Sequence, residues 1–203
     1  MLDAKVNRLD GVLYTHPHAD HCHGIDDLRA FVINHRKRVM IYGDAPMLER
    51  LYAGFGYCFE TPPGGHYPPI LEAQTINPGT EVTIEGEGGS LTFLPFEQQH
   101  GPIVSLGFRV GKTAYSSDIS AVLESSHEAL AGLDLRIVDA LQYKEHSNHF
   151  SLGQCLDAIQ TFAPKRAILT HMHTPLDYNT VMAETPDNVA PAYDGLQMWA
   201  NEI

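Results

Sequence analysis

Two rhythms of hydrophobic spacing alternate along the chain. Short apolar runs read as buried strands: Val12-Leu13-Tyr14, residues 38–43 (RVMIYG), 135–141 (LRIVDAL) and 166–171 (RAILTH). Helical spacing fills the stretches between them. Residues 24–32 (GIDDLRAFV) carry Asp26 and Asp27 early, which suits the positive N-terminal end of a helix. Residues 44–56 (DAPMLERLYAGFG) offer Asp44 as N-cap and Pro46 in the first turn. Residues 151–164 (SLGQCLDAIQTFAP) set Leu152, Leu156 and Ile159 on one stripe, with Ser151 and Gln154 spaced as a capping box. Further strand-like runs lie at 80–85, 90–97, 103–110 and 112–116. Helices are expected near 120–131 and 176–184, and a last strand near 193–199. Residues 60–70 hold four prolines and two glycines, so they form a loop, read as plain surface rather than as a lid. Strands and helices alternating without repeats predict a layered α/β protein.

Composition narrows the picture. A chain of 203 residues fits a single domain, 1–203, since a domain takes roughly 100–200 residues. Apolar residues make up 43% and charged residues 19%, enough for a packed core. No apolar stretch reaches the ~18 residues of a membrane span and no signal-peptide pattern opens the chain, so a cytoplasmic protein without membrane contact is expected. Cys22, Cys58 and Cys155 form no pair at disulfide-framework or zinc-knuckle spacing. The formal charge of −12 repels phosphate backbones and disfavours a polynucleotide partner. The one dense basic run, His35-Arg36-Lys37-Arg38, reads as a solvated turn. Twelve histidines direct attention to metal chemistry.

Five of the eight positions from 16 to 23 are His16, His18, Asp20, His21 and His23, directly after a strand. Positions i and i+2 of an extended segment point the same way, so His16 and His18 can grip one metal. Asp20 and His21 lie beyond the bend and can reach a second. Imidazole with carboxylate suits Zn²⁺, or Mn²⁺ and Fe²⁺ where oxygen ligands dominate. The remaining candidates also fall at strand ends: His100 after FLPFEQQ, Asp118 after TAYSS and His171 after RAILT. Loops at strand ends converge on sites in layered α/β folds.

This series, H-x-H-x-D-H followed by a lone His, an Asp and a late His, resembles the metallo-β-lactamase-fold hydrolases. The stretches THPHADHCHGIDDLR, LPFEQQHG, YSSD, EHSNHFSL and AILTHM look like the branch holding phosphoribosyl cyclic phosphate phosphodiesterase and the tRNA-maturing endonuclease. The resemblance implies a four-layer αββα sandwich with two divalent ions, zinc foremost and manganese or iron as alternatives. It implies His16, His18 and His100 on the first metal, Asp20, His21 and His171 on the second, and Asp118 bridging both. His149, immediately before FSL, matches a histidine that faces the scissile phosphate, with the expected role of general acid. Asp20 is counted with the catalytic groups as well as with the ligands.

The function expected from this likeness is hydrolysis of a small cyclic or nucleotide-like phosphodiester by a metal-bridging hydroxide. The rivals are a thioester, lactone or β-lactam hydrolase on the same cage, and a metal- or nucleotide-binding fragment without turnover. A homodimer is compatible with each. Members of the family carry further β-strands before the histidine loop, so the resemblance implies an N-terminally truncated domain, and Met1–Val6 reads as the tail of a helix. Asp139, in a buried strand, is expected either to orient a ligand imidazole or to be a satisfied core carboxylate. His23 and His173 read as partly exposed polar residues, and His35, His66, His127 and His146 as surface residues. Asp177 and Tyr178 are placed near the pocket.

Overall fold

The computed structural model describes residues 5–199, which divide into two compact units, Met1–Leu91 and Thr92–Ile203. Most of the expected helix tail at 1–6 lies outside the described residues.

In the first unit, β1 (Val12–Leu13), β2 (Val39–Gly43) and β3 (Leu71–Thr75) form a parallel sheet in that order. Val12 lies opposite Ile41, and Val39 opposite Leu71. Parallel neighbours need crossovers, and helices supply them. The first comprises α1 (Ala19–Cys22), a 3-10 stretch over His23–Leu28 and α2 (Arg29–His35). The single helix expected over 24–32 is therefore broken. Its first half winds tightly because Ile25 and Leu28, three apart, both turn inward and are buried. The second crossover contains α3 (Ala45–Phe55), whose N-cap Asp44 accepts from the Met47 amide at 2.9 Å. Residues 59–70 are irregular, as their prolines dictate. The β3 strand carries no apolar run to announce it, and its buried end, Leu71, sits in a core with Ile25, Ile41, Met47, Leu51 and Cys58. After β3 comes β4 (Val82–Gly86), and the boundary between the units falls inside β5 (Gly89–His100).

The second unit is built on a sheet with strand order β11-β10-β9-β7-β6-β5. Strands β5, β6 (Ile103–Val110) and β7 (Thr113–Ser116) run antiparallel through short turns. From β7 onward the neighbours β9 (Leu135–Asp139), β10 (Arg166–Thr170) and β11 (Val189–Pro191) are parallel. Gly107 faces Phe96 across the β5–β6 pair, and a β-carbon there would collide with the Phe96 ring, so the strand needs a glycine at that point.

Helix α5 (Leu152–Phe162) makes the crossover from β9 to β10 and buries Leu152, Cys155 and Ile159 against Val138, Ala167 and Leu169. Its capping box is complete: the Gln154 amide donates to Ser151 Oγ at 3.2 Å and the Ser151 amide donates to Gln154 Oε1 at 3.0 Å. Ser151→Ala is expected to cost about 1 kcal/mol. A lowered urea midpoint with an unchanged m-value is the measurement that checks it.

The helix expected over 120–131 is instead β8 (Ala121–Val122), a 3-10 turn at Glu124–Ser126 and α4 (His127–Leu130). Pairing of Gln98 with Val122 and Gln99 with Ala121 captures the start of that segment before a helix can form. The terminal strand expected over 193–199 is replaced by β11 farther upstream, after α6 (Tyr178–Glu184). Val189, the buried residue there, pairs with Ala167. Asp177 serves as N-cap of α6, accepting from Thr180 N at 3.0 Å. No helix among the described residues is long and apolar enough to cross a membrane.

Candidate metal centre

The first unit contributes the loop that leaves β1. The Tyr14 amide donates to Tyr42 O at 2.8 Å, so pairing with β2 persists up to the first loop residue. His16 follows, only 1% exposed, sharing a 3.0 Å hydrogen bond between its Nδ1 and Thr15 Oγ1. Its Nε2 lies 3.0 Å from His18 Nδ1, and the two rings meet edge to face with centroids 4.5 Å apart. Extended backbone at His18 then turns into α1, which sets Asp20 and His21 on its first turn. His21 Nε2 is 3.3 Å from Asp20 Oδ2, and the His21 ring is 4.4 Å from that of His16. The four side chains thus gather at one end of β1, with His16 buried, His21 half-buried, and His18 and Asp20 exposed. Cys22 takes no part: it is buried in the hydrophobic core and its thiol points at Pro17 O, 3.7 Å away. Burial pushes that thiol above its ordinary pKa, which keeps it protonated and a poor ligand.

In the second unit three imidazoles surround Asp118. His100 Nε2 stands 3.6 Å from Asp118 Oδ2, His149 Nε2 3.9 Å from the same oxygen, and His171 Nε2 3.8 Å from Oδ1. These separations are too long for good hydrogen bonds. They match donors that each sit about 2.0–2.2 Å from a shared cation. One ligand atom each from Asp118, His149 and His171 all lie within 4.8 Å of one another. Three imidazoles around one buried carboxylate suit a divalent transition metal, so the residues fit the group that the sequence calls for.

The frame around this cluster is stiff. Asp118 and His171 both sit in the left-handed region, φ 54° and 58°, at strand-exit positions. Such conformations cost of order 1–3 kcal/mol each and persist where surrounding bonds hold them. At Asp118 those bonds are visible: Ser117 Oγ donates to Oδ1 at 2.7 Å, and Ser105 Oγ donates to the Asp118 carbonyl at 2.8 Å. Gln98, fully buried, donates to the Ser117 carbonyl at 2.7 Å. His100 is fixed through Nδ1, which donates to the Asn148 carbonyl at 2.7 Å and leaves Nε2 toward Asp118. Gly101 lets Asn148 come this close, because a β-carbon there would strike the Asn148 side chain.

His149 is held differently. Its Nδ1 lies 2.7 Å from Oδ2 of Asp139, a fully buried carboxylate that also accepts from the Ile119 amide at 3.2 Å. Burial pushes the Asp139 carboxyl above its ordinary pKa, and the bond from His149 pulls it the other way. With Nδ1 committed to Asp139, Nε2 is the nitrogen that faces Asp118. The ring stacks on His171 at 5.2 Å and meets His100 edge-on at 4.7 Å. Asp139 therefore orients the imidazole of His149. His146 is exposed, yet its ring lies 5.4 Å from that of His149, closer to the cluster than its reading as a surface residue implied. Asn148 and Ser117 act here through groups that residue type does not advertise, a backbone carbonyl and a neighbour-directed hydroxyl. Proximity to SNHFSL and YSSD was their only signal in the sequence.

Comparison with known proteins places these features. A solved structure described as a new diphosphatase from the PhnP family superposes with a TM-score of 0.85 at 28% identity, covering 96% of this chain and 73% of that one. The short form of human tRNase Z shares the fold, with a TM-score of 0.69 at 18% identity over 96% of this chain and 81% of that one. An octanoyltransferase of Porphyromonas gingivalis (strain ATCC BAA-308 / W83) is 30% identical over 206 residues, which are 99% of this chain but 40% of that protein. The chain thus spans about 40% of the length of the curated relative it matches. The family model described as beta-lactamase superfamily domain matches residues 2–172, and the chain, with its α/β fold and its His/Asp clusters at strand ends, belongs to that family.

Proposed function

We propose that the chain is a metal-dependent phosphodiesterase acting on a small cyclic or nucleotide-like phosphodiester. The observation that carries this reading is the His149–Asp139 pair, whose second imidazole nitrogen, Nε2, faces the Asp118 cluster. Hydrolysis of a thioester expels a stable thiolate and does not require a dedicated proton donor, whereas expulsion of an alkoxide from phosphorus does. The residues that would hold two divalent ions are those implied by the family likeness: His16, His18, Asp20, His21, His100, Asp118 and His171. When bound, such ions supply positive charge against the phosphoryl oxygens and make a water acidic enough to attack near neutral pH.

The chain's own groups do the rest. Nε2 of His149 gives its proton to the departing oxygen, and Asp139 holds the ring in place and stabilises the imidazolium before transfer. The Asn148 carbonyl and Asp139 keep the imidazoles of His100 and His149 aimed at Asp118. A net charge of −12 favours a small diester over a polynucleotide, which would call for an extended basic surface.

Removing divalent ions with a chelator is expected to abolish hydrolysis of a cyclic phosphodiester, with recovery on adding back Zn²⁺ or Mn²⁺. Measured against a panel of thioesters, lactones and β-lactams, the phosphodiester should show the highest kcat/KM. A faster ester would move the assignment to acyl hydrolysis on the same ligands. Full metal loading with no turnover of any substrate would make the chain a binding module.

A further inference from the structure

Away from the histidines, the first unit carries a groove of about 880 Å³ between α2 and the proline-rich loop. Its walls are apolar: Val32 and Ile33 from the helix, Pro62, Pro68 and Pro69 from the loop, and Ile70 at the base. Ile33 is 69% exposed and Tyr67 81% exposed, which is a large apolar area for a chain to leave in water at one place. The size falls within the range of small-molecule sites, roughly 300–1,000 Å³.

The rim is cationic. Arg29, Arg36 and Arg38 all line the groove, in a chain whose formal charge is −12. Two of them already have internal carboxylate partners: Arg29 donates to Asp26 at 2.8 Å, and Arg38 lies 3.6 Å from Glu72. None of the ion pairs between described residues engages Arg36. Arg36 also occupies the left-handed region, φ 53°, where its amide closes α2 on Val32 O at 2.7 Å. The basic run is a solvated turn, as its sequence reads, and two of its residues, Arg36 and Arg38, line this apolar cavity.

We propose that this groove binds an amphiphilic monocarboxylate, an unbranched aliphatic chain ending in a single carboxylate. The aliphatic and proline walls take the chain, and the planar fork of Arg36 takes the carboxylate. One guanidinium with no ion pair among the described residues matches one negative charge, which favours a carboxylate over a phosphate dianion. The site is independent of the proposed phosphodiesterase reaction.

Equilibrium dialysis of the full chain against radiolabelled decanoate, with chelator present to remove any metal-bound carboxylate, tests this. Decanoate is expected to bind one equivalent per chain, and 1-decanol and acetate at least tenfold more weakly. Arg36→Gln should weaken decanoate about tenfold, which is about 1.4 kcal/mol, while leaving the weaker affinity for decanol unchanged. Ile33→Ser, at an exposed position that does not endanger the fold, should weaken both. Equal affinity for decanoate and decanol would overturn the carboxylate assignment. Tighter binding of phenyl phosphate would overturn it in favour of an aryl phosphate. Unchanged decanoate binding in both variants, or none in the parent chain, would remove the site.

Discussion

His149→Ala is expected to slow hydrolysis of an alkyl phosphodiester by about 10²–10⁴-fold and to leave a p-nitrophenyl diester nearly unaffected. The contrast follows from the leaving groups. An alkoxide must be protonated as it departs, while p-nitrophenolate leaves as a stable anion. The imidazole is placed to donate: Asp139 holds Nδ1 at 2.7 Å, and Nε2 points to the Asp118 cluster 3.9 Å away. The same geometry admits a rival role, because Asp118, His149 and His171 are close enough to share one ion. The two roles separate cleanly in the assay. Equal losses on both diesters, accompanied by fewer bound ions, would make His149 a ligand. Wild-type rates on the alkyl diester would remove it from the chemistry. Asp139→Asn supplies the companion measurement: it should reproduce part of the alkyl-selective loss, since it frees the ring without deleting it.

Asp118→Asn carries the second large effect. The carboxylate is 2% exposed and is approached by three imidazole nitrogens at 3.6–3.9 Å. Asparagine matches its shape and tolerates its positive φ, so the fold should survive. What is lost is the negative charge that the three imidazoles approach. Elemental analysis is expected to give fewer divalent ions per chain than the parent holds, and turnover should fall on the order of 10³-fold. Retention of the parent's ions and of full activity would show that Asp118 does not hold them.

Much of this architecture is legible in the order of residues. Strands β2 and β10 hold runs of consecutive apolar residues, because a largely buried parallel strand has no polar side to interrupt it, and β9 keeps the pattern except for the buried Arg136. Helices α3 and α5 announce themselves through caps and stripe. Where reading failed, tertiary pairing had overridden local pattern. The 120–131 segment has the composition of a helix, yet β5 takes its first residues as a strand. β3 has almost no pattern, and only its alignment along β2 makes it a strand.

The candidate site divides in the same way. The candidate ligand residues and their places at strand ends follow from sequence by itself, because histidines and aspartates recur there in one spaced series. Only the tertiary structure decided how each is aimed. It gave Asp139 to His149, the Asn148 carbonyl to His100, and left-handed backbone to Asp118 and His171. It also set Arg36 and Arg38 of the exposed 35–38 turn at the rim of a groove. These are relations between residues tens of positions apart, set by which strands lie side by side and how tightly their loops are held. Spacing along a chain does not record them.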